Sequence, residues 1–164
     1  MNAQHPLLGI LLAAAAGNPP VPDGRVEVLS SPPGPVHVVV GFPFHNLVAA
    51  DVDEALVAGR LAPDDPGAAL KPEFLLWLSG WVGAAPGSLD VVLARTGGAA
   101  DDAVELVPRD DLVEHPRIRR AARYRGSLRV FTDPSGVGVV AVGPGLAGRW
   151  EVAFEVDAAA RGRG

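Results

Sequence analysis

The residues best placed to do chemistry lie together near the end of the chain. Over residues 149–157 the pattern alternates: Trp150, Val152, Phe154 and Val156 fall on one side of an extended strand, and Glu151, Ala153, Glu155 and Asp157 on the other. The apolar side is expected to be core, which leaves an acidic face where a carboxylate can exchange a proton with a substrate. Glu151 and Glu155 stand about 13 Å apart at strand rise, so they cannot act together on one atom. The strand runs directly into Asp157-Ala158-Ala159-Ala160-Arg161-Gly162-Arg163-Gly164. An Arg/Gly turn after a strand suits a pyrophosphate. Glycines let consecutive N–H groups face one point, and a following helix adds the positive end of its dipole.

This strand and turn resemble the GNAT superfamily of acyl-CoA-dependent N-acetyltransferases. The resemblance is carried by Trp150-Glu151-Val152-Ala153-Phe154-Glu155-Val156-Asp157 followed by Arg161-x-x-Gly164, the opening of that family's Arg/Gln-x-x-Gly-x-Gly/Ala signature. It covers residues 110–164, and it implies acetyl transfer from acetyl-CoA, as cosubstrate, to the amine of a small molecule or peptide. The resemblance further implies that Arg161, Gly162, Arg163 and Gly164 hold the cofactor's pyrophosphate. Val156 would contribute only its backbone N–H and C=O, which in this family face the pantetheine and the acyl carbonyl, where an N–H stabilises the oxyanion. One of Glu155 and Glu151 would be the general base for the attacking amine, and Glu155, nearer the cofactor turn, is the first candidate; a solvated carboxylate on the sheet face is the alternative for each. Ala158 stands where the family often has Pro, and the chain stops before the last Gly or Ala of the signature. It therefore reads as a fragment of such a domain. The 164 residues alone are expected to show no acetyl transfer and weak or absent acetyl-CoA binding, and to self-associate through the edge strand 149–157.

Other chemistries find little support. The absence of Cys excludes a disulfide scaffold, a zinc–thiolate site and a cysteine nucleophile. His5, His37, His45 and His115 have no metal-ligand spacing, so no metal is expected. Arg117, Arg119, Arg120, Arg123, Arg125 and Arg129 form a run without an acid among them. Arg density alone attracts phosphate, but the net charge is −5 and no nucleic-acid-binding motif is present, so no nucleic-acid partner is expected. A solvated helix face paired with the acidic first half accounts for the run, and a hold on the 3′-phosphate of CoA is the alternative that the resemblance leaves open. Residues 1–116 carry a net −10 and residues 117–164 a net +5, an asymmetry expected where one half meets an anion.

The elements that must position these residues read as follows. Leu7, Leu8, Leu11 and Leu12 recur at helical spacing and Gly17-Asn18-Pro19-Pro20 stops the helix. Strands are expected at 25–29, 36–42, 46–50 and 89–94, a helix capped by Asp51 and running to Arg60, and a helix opened by Pro72 with Phe74, Leu75, Trp77, Leu78, Trp81 and Val82 as core. After a seam at 97–102, residues 110–124 read as a helix kinked at Pro116. Strands at 127–132, 137–142 and 149–157 follow, joined by turns so short that they must be antiparallel neighbours.

The expected fold class is α/β (α+β), a mixed, largely antiparallel sheet flanked by helices. An N-terminal α/β region would span 1–96, a linker 97–109, and a partial GNAT-like domain 110–164. With hydrophobic residues at 48% and charged residues at 20%, a packed core is expected and wholesale disorder is excluded. The apolar run 7–16 is too short to span a bilayer and has no Lys or Arg ahead of it, so a cytoplasmic protein with no membrane partner is expected. The rival to an enzyme is a non-enzymatic binding or regulatory module.

Overall fold

The computed structural model describes residues 4–87, 89–94 and 105–162. The chain is mixed α/β and divides into two compact units, Met1–Thr96 and Gly97–Gly164, each with its own sheet.

In the first unit, α1 (Pro6–Ala15) begins at His5, whose ring accepts a hydrogen bond from the Leu7 amide, and Pro6 occupies the first turn, where its missing N–H costs nothing. Strands β1 (Val26–Leu29), β2 (Val38–Phe42) and β3 (His45–Ala49) form a sheet in the order β1-β3-β2, with β1 parallel and β2 antiparallel to the central β3. Every residue of β3 is buried. One face of the sheet packs Val48 and Ala50 against Val57 of α2 (Glu54–Ala58), Ala69, and Phe74 and Leu78 of α3 (Pro72–Val82). Leu47 and Ala49, on the other face, have no exposure, and α1 buries Leu7 and Leu11. The cap of α2 is Asp53, two residues beyond the expected Asp51. Its carboxylate takes the Ala55 amide, and the helix stops at Gly59. Of the aromatics expected as core on α3, Phe74 is buried and Trp77 packs beside it at 5.3 Å, while Trp81 stays half exposed and donates its indole N–H to the Asp51 carbonyl. No strand forms at 89–94. Leu89, Val91, Val92 and Leu93 are exposed, because an apolar run becomes a strand only where a neighbour accepts its backbone groups.

The second unit is an antiparallel sheet in the order β4-β5-β6-β7: β4 (Val107–Pro108), β5 (Arg129–Thr132), β6 (Gly138–Pro144) and β7 (Trp150–Val156). The last three strands form the expected meander; β4 is too short to carry a sequence pattern. The helix expected over 110–124 is shorter: α4 (Pro116–Ala122) starts at Pro116, with the His115 ring accepting from the Arg117 amide. Pro116 opens this helix and does not kink a longer one.

A larger correction concerns the faces of β7. The core of this unit is Ile118 and Ala121 of α4 packed on Val139, Ala141 and Ala153. Ala153 is 1% exposed, so the side of β7 that carries Glu151 and Glu155 faces inward. Trp150, Val152 and Phe154 are 63%, 60% and 68% exposed. The alternation is as expected, but α4 covers the side of small and acidic residues, and the bulky apolar side lies open.

No helix among the described residues is long and apolar enough to cross a membrane.

Candidate functional site

The region singled out in the sequence is β7 and the turn after it. Arg149 and Asp157, which bracket the strand, pair their backbones with Gly145 and Val137 on the β6 side. In an antiparallel ladder the pairing residues alternate, so Glu151, Ala153 and Glu155 also face β6. The N–H and C=O groups of Trp150, Val152 and Phe154 therefore point to the free edge. Arg161 reaches back and donates its Nε–H to the edge carbonyl of Val156 at 2.9 Å.

The two candidate carboxylates have different surroundings. Glu151 has a side chain only 16% exposed, and three donors hold it: Arg149 Nη2 at 2.8 Å, Arg125 Nη2 at 3.1 Å and the Leu146 amide at 3.2 Å. It fastens the 145–149 turn and the segment after α4 to the strand. Glu155 is 44% exposed, and its nearest cation is Arg161 Nη2 at 3.9 Å. Only Glu155 is open to a substrate.

The turn is partly occupied by the protein's own groups. Asp157 caps a single 3-10 turn, Ala158–Ala160, by accepting from the Ala159 amide at 2.8 Å, so a carboxylate already stands at the first free amide. Gly162 is left-handed at φ +73°, with nothing within 4 Å of where a Cβ would be. A left-handed residue of this kind lets successive amides converge on an anion. The structure thus brings Val156, Glu155 and Arg161 together, with Gly162 next in the chain; Arg163 and Gly164 lie outside the described residues.

The Arg run does not act as a unit. Arg125 turns inward to Glu151, Arg119 approaches Glu114 at 4.0 Å, and Arg129 lies over the Phe131 ring at 5.6 Å. The run of like residues hid this division, because what separates them is the end of α4 and the start of β5.

Two features of the first unit carry no sequence motif. His45, buried in β3, donates from Nδ1 to Asp23 at 2.9 Å, and its Nε2 lies 3.6 Å from Glu27 without a hydrogen-bond partner among the described residues. The hydrogen bond from His45, aided by the Arg25 amide, holds the Asp23 carboxyl below its ordinary value. A sequence separation of 22 residues concealed the pair. The second feature is an open cleft of about 470 Å³ at the carboxyl ends of the parallel strands β1 and β3, lined by Leu29, Ser30, Asp51, Asp53, Glu54 and Trp81. Open α/β sheets commonly bind ligands at such ends. Among the described residues, no group of three or more His, Asp or Glu is arranged to hold a metal ion.

Against known proteins, no family model matches the chain, and neither a curated protein nor a solved structure matches it.

Proposed function

We propose that residues 110–164 belong to an acetyl-CoA-dependent N-acetyltransferase of the GNAT type, acting on the amine of a small molecule or peptide. The observation that carries this reading is the course of the chain: a β5-β6-β7 meander leads directly into an Arg-Gly turn whose Gly162 is left-handed. In this reading Arg161, Gly162, Arg163 and Gly164 meet the pyrophosphate, and Val156 offers its backbone to the pantetheine and the acyl carbonyl. Glu155 is the base. It accepts a proton from the attacking amine, directly or through water, as the N–C bond forms and the thioester C–S bond breaks. Glu151, held by three donors, positions the strand for that step.

The same geometry sets the expected affinity. A pyrophosphate has to displace Arg161 from the Val156 carbonyl and compete with the Asp157 carboxylate for the Ala159 amide. Binding by this chain should therefore be weak and sensitive to salt. The test is an amide-resolved NMR titration with CoA in the millimolar range. Shifts confined to residues 156–162 are expected, fading with added salt and lost in Arg161→Glu, which reverses the charge beside the pyrophosphate. Unshifted amides in that segment, or equal shifts in Arg161→Glu, would overturn the assignment.

A further inference from the structure

The open side of β7 is a second feature, independent of the turn. Its edge backbone is free at Trp150, Val152 and Phe154, and the same three side chains form the exposed apolar face. Unpaired N–H and C=O groups beside bulky apolar side chains are a template for another strand.

We infer that this edge pairs with β7 of a second copy of the chain, antiparallel about a two-fold axis at Val152. A two-fold makes the contact isologous, so the register is fixed by the residue that meets itself. With Val152 opposite the partner's Val152, Trp150 lies opposite the partner's Phe154 and Phe154 opposite the partner's Trp150. All three residues have free edge groups, so each pair exchanges two main-chain hydrogen bonds. Aromatic cross-strand pairs of this kind each contribute roughly 0.2–1 kcal/mol. On the α4 side, Glu151 then faces the partner's Ala153, and Arg149 faces the partner's Glu155, at non-hydrogen-bonded positions where side chains approach closest. Opposite charges meet, twice by symmetry.

The two registers shifted towards Asp157 each bring like charges together. An axis at Ala153 sets Arg149 against the partner's Asp157 but Glu151 against the partner's Glu155, and an axis at Phe154 sets Glu151 against the partner's Asp157. Like charges directly opposite are destabilising in both. The contact of Arg161 with the Val156 carbonyl also fits the Val152 axis, because Val156 lies outside the three pairs that this register uses. The edge is thus blunted beyond the pairing segment and open within it.

A chain without cysteine makes the register directly readable. Val152→Cys, at an exposed position, should form a covalent dimer under mild oxidation, since an axis at Val152 puts the two Cα atoms about 5.5 Å apart, within disulfide reach. Phe154→Cys alone reports the Phe154 axis, and the mixed disulfide formed between Val152→Cys and Phe154→Cys in an equal mixture, told from the Val152→Cys homodimer by its mass, reports the Ala153 axis. Both of these products should form at least about tenfold more slowly than the Val152→Cys homodimer, the ratio set by 1.4 kcal/mol. Light scattering on the unmodified chain should show the mass rising with concentration from 16.9 kDa towards twice that value. Val152→Lys, which places two ammonium groups face to face on the axis, should remain at 16.9 kDa with an unchanged circular dichroism spectrum. A native chain that stays monomeric at every concentration overturns the inference, whatever other strand later proves to bind the edge. Faster formation of the Phe154→Cys homodimer or of the mixed disulfide overturns the register.

Discussion

Two glutamates on one face of one strand show how little residue type says about role. Glu151 and Glu155 are equivalent in the alternation of the sequence, where only the nearness of Glu155 to the Arg/Gly turn separates them. The difference comes from Arg125, twenty-six positions before Glu151, and from the turn that returns Arg149 and the Leu146 amide to the same carboxylate. Such convergence depends on how α4 leads into the sheet, so it was not legible in the sequence. It has a measurable consequence. Glu151→Gln keeps the shape but removes the charge facing two guanidinium groups, themselves only 16% and 22% exposed. Leaving partly buried cations unpaired should cost about 2–3 kcal/mol. Glu155→Gln, at an exposed position, should stay within about 0.5 kcal/mol. Urea unfolding of the two variants side by side checks this; equal losses would mean that the three-donor cluster around Glu151 contributes nothing to stability.

At the scale of elements, the sequence was informative about periodicity and silent about neighbours. β7, α1 and α3 all lie where their patterns place them, because alternation and helical spacing are properties of the chain itself. Which side of β7 is covered is a property of α4, and Ala153 was the overlooked marker: a small residue between two glutamates leaves room for a helix to approach. The strand expected at 89–94 fails for the converse reason: the segment has the composition of a strand, yet it joins neither sheet and its apolar side chains stay exposed. Close approach explains one glycine in the same way. Gly143 does not need the left-handed region, yet a Cβ there would lie 2.6 Å from the Gly126 carbonyl oxygen. That carbonyl is hard to move, because the Gly126 amide is bonded to Pro144, the residue after Gly143. Gly143→Ala should therefore destabilise the chain by about 1–3 kcal/mol. In Gly41→Ala the closest obstacle, at 2.5 Å, is the Cδ1 atom of Leu70, a partly exposed side chain that can rotate away. That variant should be near neutral, since alanine suits a strand better than glycine by about 0.5–1 kcal/mol. Thermal unfolding distinguishes the two, and a Gly143→Ala protein as stable as Gly41→Ala would disprove the close approach.

For the whole molecule, the charge asymmetry was legible but its meaning was not. A net +5 over residues 117–164 suggested a half that meets an anion, yet many of its cations are engaged at home: Arg125 and Arg149 by Glu151, Arg119 near Glu114, and Arg161 near Glu155. Just before that half, Arg109 binds Asp111 through two hydrogen bonds and holds its carboxyl down at about 2. Pairing of this kind leaves the net charge of −5 as the long-range property that two copies feel. At physiological ionic strength the Debye length is about 8 Å, so repulsion between whole chains is largely screened, whereas Arg149 and the partner's Glu155 would sit within it. Strand pairing should thus survive at pH 8, where the charge is well away from zero. Association that arises only from lost repulsion should instead appear near the isoelectric point, pH ≈ 5.3, and be indifferent to which side chain occupies position 152. Light scattering across this pH range, on the native chain and Val152→Lys together, separates the two. The native chain alone is expected to dimerise at pH 8, and both proteins to associate non-specifically near pH 5.3. If the two profiles coincide at every pH, the association comes from charge neutralisation and not from the edge of β7.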